Sequence, residues 1–148
     1  KLLKNKKIKI VFDLNIRPSR WNKKNLNIFL DSVLEFVDIC FLSGEDMNYW
    51  KNKNDIKSYE QIVRKYKLKH SIFRKNAKFT YVFLNKTRYV FKNKLLKTVV
   101  DTSGAGDGFN AAYLSNFIVN NDPVLALKAG SSLGSKIVMK KGAIVDVK

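Results

Sequence analysis

Val99-Val100-Asp101-Thr102-Ser103-Gly104-Ala105-Gly106-Asp107-Gly108-Phe109-Asn110-Ala111-Ala112 runs from an apolar segment, expected as a strand from Leu96 to Val100, into a helix expected from about Gly106 to Asn120. Small residues at the junction let the backbone turn tightly and come close to a ligand. The first amides of such a helix, Gly104 to Asp107, lack intrahelical partners and sit at the positive end of its dipole. That arrangement binds phosphate, or stabilises charge on a phosphoryl group in transit. A carboxylate there repels a resting phosphate, but suits a general base that takes a proton from an attacking hydroxyl. Asp107 as an ordinary first-turn acid is the plainer reading, and these residues alone leave both open.

Upstream, Ile8, Ile10, Val11, Phe12 and Leu14 form a near-continuous apolar run over Lys7 to Leu14, as in a strand buried on both faces. Leu26, Phe29, Leu30, Val33, Leu34 and Val37 fall at helical spacing. Asp38 to Leu42 reads as the next strand and Asp46 to Lys51 as a short helix. Ile56, Tyr59, Ile62, Val63 and Tyr66 mark another helix behind Asp55. His70 to Arg74 is a strand, and Phe79 to Leu84 with Thr87 to Phe91 is a hairpin around Asn85-Lys86. A final helix starts at Pro123 behind Asp122, runs to about Met139 and is closed by Gly142. Strand and helix in alternation predict an α/β fold with a largely parallel sheet, as one domain or part of one.

The 148 residues carry 45% apolar and 12% aromatic side chains, a globular composition. No apolar run reaches the ~18 residues of a membrane span, so no membrane partner is expected. The net charge of +17 comes from 24 Lys and only 5 Arg, spread from Lys1 to Lys148, alongside 15 Asn and 11 Ile. Readers of nucleic acid lean on Arg for bidentate contacts. The charge therefore reads as drift in an AT-rich genome, with no nucleic-acid partner. A lone Cys40 in an apolar run excludes a disulfide framework and points to a reducing, cytoplasmic setting. The chain opens on Lys, not Met, and sequence upstream of it is expected.

Asp101 to Tyr113 resembles the C-terminal signature of the ribokinase, or phosphofructokinase B, family of carbohydrate kinases. The segment Phe12-Asp13-Leu14-Asn15-Ile16-Arg17-Pro18-Ser19-Arg20-Trp21 is similar to the Asp-x-Asn-x-Arg-Pro-x-x-Trp loop of 2-keto-3-deoxygluconate kinases and bacterial fructokinases. Lys140-Lys141-Gly142-Ala143-Ile144 resembles their closing Arg-Gly-Ala-Ile element. The resemblance implies a three-layer, ribokinase-like α/β fold with a mostly parallel sheet. Residues 1–148 would be its C-terminal part, with the N-terminal half and lid absent.

By the same resemblance, Asp107 is the base on the sugar hydroxyl, and Gly104, Ala105 and Gly106 form the anion hole. Arg17, with Asp107, meets the substrate, its guanidinium against a sugar-acid carboxylate. Asn15, Arg74, Thr102, Gly104, Gly106 and Gly142 lie on the nucleotide side. The implied cofactors are ATP and magnesium, with Asp46 acting on the metal through water and Asp101 near a monovalent cation. Two departures stand out. Ser43-Gly44-Glu45-Asp46 replaces the family's Asn-x-x-Glu, and Arg74-Lys75-Asn76-Ala77-Lys78-Phe79 replaces Lys-x-Gly-Ala-Asp-Gly. In the second, Asn76 is expected to stand in for a glycine at positive φ. The implied activity is ATP-dependent phosphorylation of a sugar acid, 2-keto-3-deoxygluconate first and fructose as the alternative. An inactive remnant or basic binding module is the rival from another class. The chain by itself is expected not to be an active kinase, with a homo-oligomer or a missing N-terminal half as its expected protein partner.

Overall fold

The computed structural model describes residues 8–146. The chain forms two compact units that divide after Val90, within its last strand.

In the first unit, β1 (Val11–Asp13) is followed by a 3-10 turn (Pro18–Arg20) and α1 (Lys23–Val33). Asn22 caps α1, its side chain accepting from the Asn25 amide at 2.8 Å. Leu26 and Leu30 of the predicted stripe are buried, and a 3-10 turn over Leu34–Phe36 continues the stripe to Val37. Next come β2 (Ile39–Ser43), α2 (Gly44–Lys51), α3 (Ile56–Lys65), β3 (His70–Arg74), β4 (Phe79–Leu84) and β5 (Thr87–Lys92). The sheet order is β1-β2-β3-β4-β5. The pairs β1–β2 and β2–β3 are parallel and joined by helices, whereas β3–β4 is antiparallel. The sheet is thus parallel on its β1 side and turns antiparallel at β4. Asn85 and Lys86 both take positive φ (48° and 74°), the backbone that a tight two-residue hairpin demands.

One core joins the α1, α2 and α3 stripes to the sheet, with Leu26, Leu30, Leu42, Met47, Tyr59 and Phe73 nearly inaccessible to water. Tyr59 stacks on Phe73 with ring centroids 4.4 Å apart. Truncating such a ring costs about 3–5 kcal/mol. Gly44 carries no side chain because a Cβ there would lie 2.1 Å from the Lys75 carbonyl oxygen.

The second unit is a helical hairpin of α4 (Ala105–Asn120) and α5 (Pro123–Ile137). Asn121 ends α4 in the left-handed region, and Asp122 caps α5 by accepting from the Val124 and Leu125 amides at 2.7 and 3.1 Å. Phe109, Tyr113 and Phe117 stack along α4, their centroids 6.2 and 6.0 Å apart.

Three sequence expectations change. Leu96 to Val100 is not a strand: the Val100 and Asp101 amides both bond the Val138 carbonyl (2.8 and 3.3 Å), so the end of α5 satisfies them instead of a ladder. The helix α5 ends at Ile137 with Val138 still right-handed, and Gly142, at φ +97°, lies beyond it in the closing loop. Asn76 needs no positive φ, because its Oδ1 accepts from the Lys78 and Phe79 amides at 3.0 and 2.9 Å and so builds the turn with its side chain. No described helix is long and apolar enough to cross a membrane. The predicted strand start at Lys7 lies outside the described residues.

Candidate functional site

In the second unit the Gly-rich segment becomes a turn that opens α4. Gly104 is the N-cap at φ +72°, and a Cβ on it would sit 2.6 Å from the Ala143 carbonyl oxygen. Conformation and space both require glycine there. The helical ladder starts at Gly108 N–H to the Gly104 carbonyl, 2.9 Å. Ala105 donates to the Thr102 carbonyl at 3.3 Å, so the turn itself uses one of the amides expected to be open. Asp107 is the third residue of α4 and its side chain is exposed. A carboxylate in a helix's first turn is favoured by the dipole.

Asp101 holds the loop together. One carboxylate oxygen accepts from the Ser103 amide at 2.8 Å, the other from the Gly142 amide at 2.9 Å. These bonds, the Ser103 one first, hold its carboxyl below the usual carboxylate range. The predicted residues Asp101, Thr102, Gly104, Ala105, Gly106, Asp107 and Gly142 therefore belong to one local arrangement, tied at Asp101.

In the first unit the 13–17 loop is fixed by its buried members. Leu14 donates to the Phe41 carbonyl at 3.1 Å and Ile16 to the Asp46 carboxylate at 2.7 Å, and both side chains are buried. Asn15 takes φ +39°, which asparagine tolerates better than most residues. Asn15 and Arg17 are exposed. The Arg17 guanidinium makes no hydrogen bond or ion pair among the described residues, which leaves its planar fork open to a carboxylate. Arg74, by contrast, pairs with the Asp13 carboxylate at 3.7 Å, with both side chains largely covered.

Asp46 is 5% exposed. Besides Ile16, its carboxylate accepts from the Ser43 amide at 2.9 Å and the Ser43 hydroxyl at 2.7 Å, and its own amide bonds Ser43 Oγ at 3.0 Å. The Ser43–Asp46 pair is a capping box on α2, extended to the 13–17 loop. The Ser-x-x-Asp spacing shows the box in sequence. The ties Ile16–Asp46, Asp13–Arg74 and Asp101–Gly142 leave no trace in spacing, since each joins residues about 30 or more positions apart.

No three His, Cys, Asp or Glu side chains group as a metal site among the described residues. Asp46, expected to act on magnesium through water, already accepts three hydrogen bonds from Ile16 and Ser43, which leaves about one lone-pair position open.

The profile of the pfkB family carbohydrate kinases matches residues 1–148, and the chain belongs to that family. It is 29% identical to the 2-dehydro-3-deoxygluconokinase of Haemophilus influenzae, covering 97% of this chain and 47% of that protein. It is also 29% identical to the 5-dehydro-2-deoxygluconokinase of Bacillus licheniformis, covering 94% and 44%. The chain spans about half the length of the curated relatives it matches. Its fold is ribokinase-like: the fructokinase from Vibrio cholerae O395, solved with fructose, ADP and calcium bound, superposes with a TM-score of 0.85 at 21% identity, covering 98% of this chain and 49% of that one.

Proposed function

We propose that this chain is the C-terminal portion of a cytoplasmic carbohydrate kinase and carries its phosphoryl-transfer base. The observation that supports this most is Asp107, an exposed carboxylate in the first turn of α4 behind a left-handed Gly104. ATP supplies the phosphoryl group. Asp107 takes the proton from the sugar hydroxyl as that oxygen attacks the γ-phosphorus and the bond from that phosphorus to the leaving ADP breaks. The first-turn backbone of Gly104 to Gly106 offsets the charge that develops on the transferred group. In an enzyme expressed from the full reading frame, Asp107→Asn lowers turnover by roughly 10²–10⁴ and leaves ATP affinity nearly unchanged. Turnover above a third of the parent's removes Asp107 from this role.

For the acceptor we propose 2-keto-3-deoxygluconate. The unpaired Arg17 guanidinium supports a carboxylate-bearing substrate, as does the likeness to a protein named 2-dehydro-3-deoxygluconokinase. Arg17→Ala then lowers kcat/KM for the sugar acid by about 2–3 kcal/mol in transition-state terms, with fructose poorly used before and after. A parent enzyme that prefers fructose overturns the assignment.

A further inference from the structure

We propose that the groove between α2 and α3 is a second binding site, for a small phosphorylated metabolite. Its cavity of about 340 Å³ is lined by Lys51, Lys53, Ser58, Gln61, Ile62 and Lys65. Ser58, Gln61, Ile62 and Lys65 recur at helical spacing, so one face of α3 forms a wall: an apolar Ile62 flanked by a hydroxyl, an amide and an ammonium. Lys51, the last residue of α2, and Lys53 in the following turn bring two more ammonium groups to the same cavity.

Three lysines there face two carboxylates, Asp31 acting on Lys51 and Lys65 and Asp55 on Lys53, which leaves an excess of one positive charge. Lys65 bonds the Asp31 carboxylate at 2.8 Å and the Tyr66 hydroxyl at 2.9 Å. The nearby Asp55 carboxylate accepts from the Ser58 amide and hydroxyl at 2.9 and 2.8 Å. Lys51 and Lys53 form no ion pair among the described residues. The Lys51 ammonium lies 4.1 Å over the Trp50 ring, half-covered rather than extended into solvent. Burial first, and the Lys65 charge second, pull its pKa below the usual lysine value. An anion in the groove offsets the repulsion between Lys51 and Lys65. A volume at the lower end for ligand sites suits a single phosphorylated small molecule, not a polymer. Gln61 can hydrogen-bond its hydroxyls, whereas the Ser58 hydroxyl already donates to Asp55.

The test is a titration of the isotope-labelled chain with glycerol 3-phosphate, following the two tryptophan indole resonances. The Trp50 indole, which bonds Asn27 at 2.7 Å, lies beside Lys51 and reports on the groove. The expected result is a saturable shift of Trp50 and not of Trp21. Lys51→Gln and, separately, Lys53→Gln weaken the affinity roughly tenfold each, the loss of one charge-assisted contact, while Lys94→Gln has no effect. A shift that does not saturate, or equal affinity in all three variants, means diffuse attraction to a chain of net charge +17 and overturns the proposal.

Discussion

Asp101 and Gly142 are joined by a 2.9 Å hydrogen bond from the glycine amide to the aspartate carboxylate, across 41 residues of sequence. The same carboxylate caps the Ser103 amide, so a single side chain positions the turn that opens α4 and the loop that follows α5. The Gly104 backbone, pressed against Ala143, completes this closure.

Asp101→Asn keeps one acceptor oxygen where the aspartate has two. Amide exchange at Gly142 or Ser103 is expected to accelerate several-fold, while exchange within the middle of α4 stays unchanged. The carboxyl is held below its ordinary range, so the closure is complete above that range and is lost as pH falls through the depressed folded value. Exchange measured by NMR at pH 6 and at pH 3 checks both statements.

Asp46→Asn turns part of a buried three-fold acceptor into a donor that faces N–H or O–H groups. Losing a charged, buried acceptor costs about 2–3 kcal/mol. The urea midpoint of the first unit, followed by fluorescence of Trp21 and Trp50, falls accordingly. The 13–17 loop loosens with it, because Ile16 depends on the same carboxylate.

His70 is 5% exposed, and burial lowers its pKa from 6.5 to about 4. A folded-state value below the unfolded one means that the unfolded chain takes the proton first. Stability is therefore full above pH 6.5 and declines as pH falls towards 4. Between pH 7 and pH 5 the loss from this group is about 2 kcal/mol. In His70→Leu the stability difference between those two pH values shrinks by that amount, as read from urea unfolding at each pH. An undiminished difference assigns the acid sensitivity elsewhere.

Much of this protein was legible in its sequence because local chemistry repeats at short range. Apolar periods fixed α1 and α3, the Asn85-Lys86 pair fixed a hairpin whose turn needs positive φ, and Asp122-Pro123 fixed the start of α5. The Gly-Ala-Gly-Asp run located the candidate base, because a glycine N-cap and a first-turn acid are neighbours in the chain. Tertiary structure decided what distant partners do. Leu96 to Val100 has the composition of a strand, but the Val138 carbonyl takes two amides at its end and leaves Val99 and Val100 exposed. Asp46 reads in sequence as a capping acid, and only the fold shows that it also holds a backbone amide 30 positions away. Arg74 has the fork of a phosphate binder, but Asp13 pairs with it. A side chain's chemistry is set by its type. Whether that chemistry remains available for a ligand is set by which buried donors and charges the fold brings to it, and those come from parts of the chain that sequence spacing does not connect.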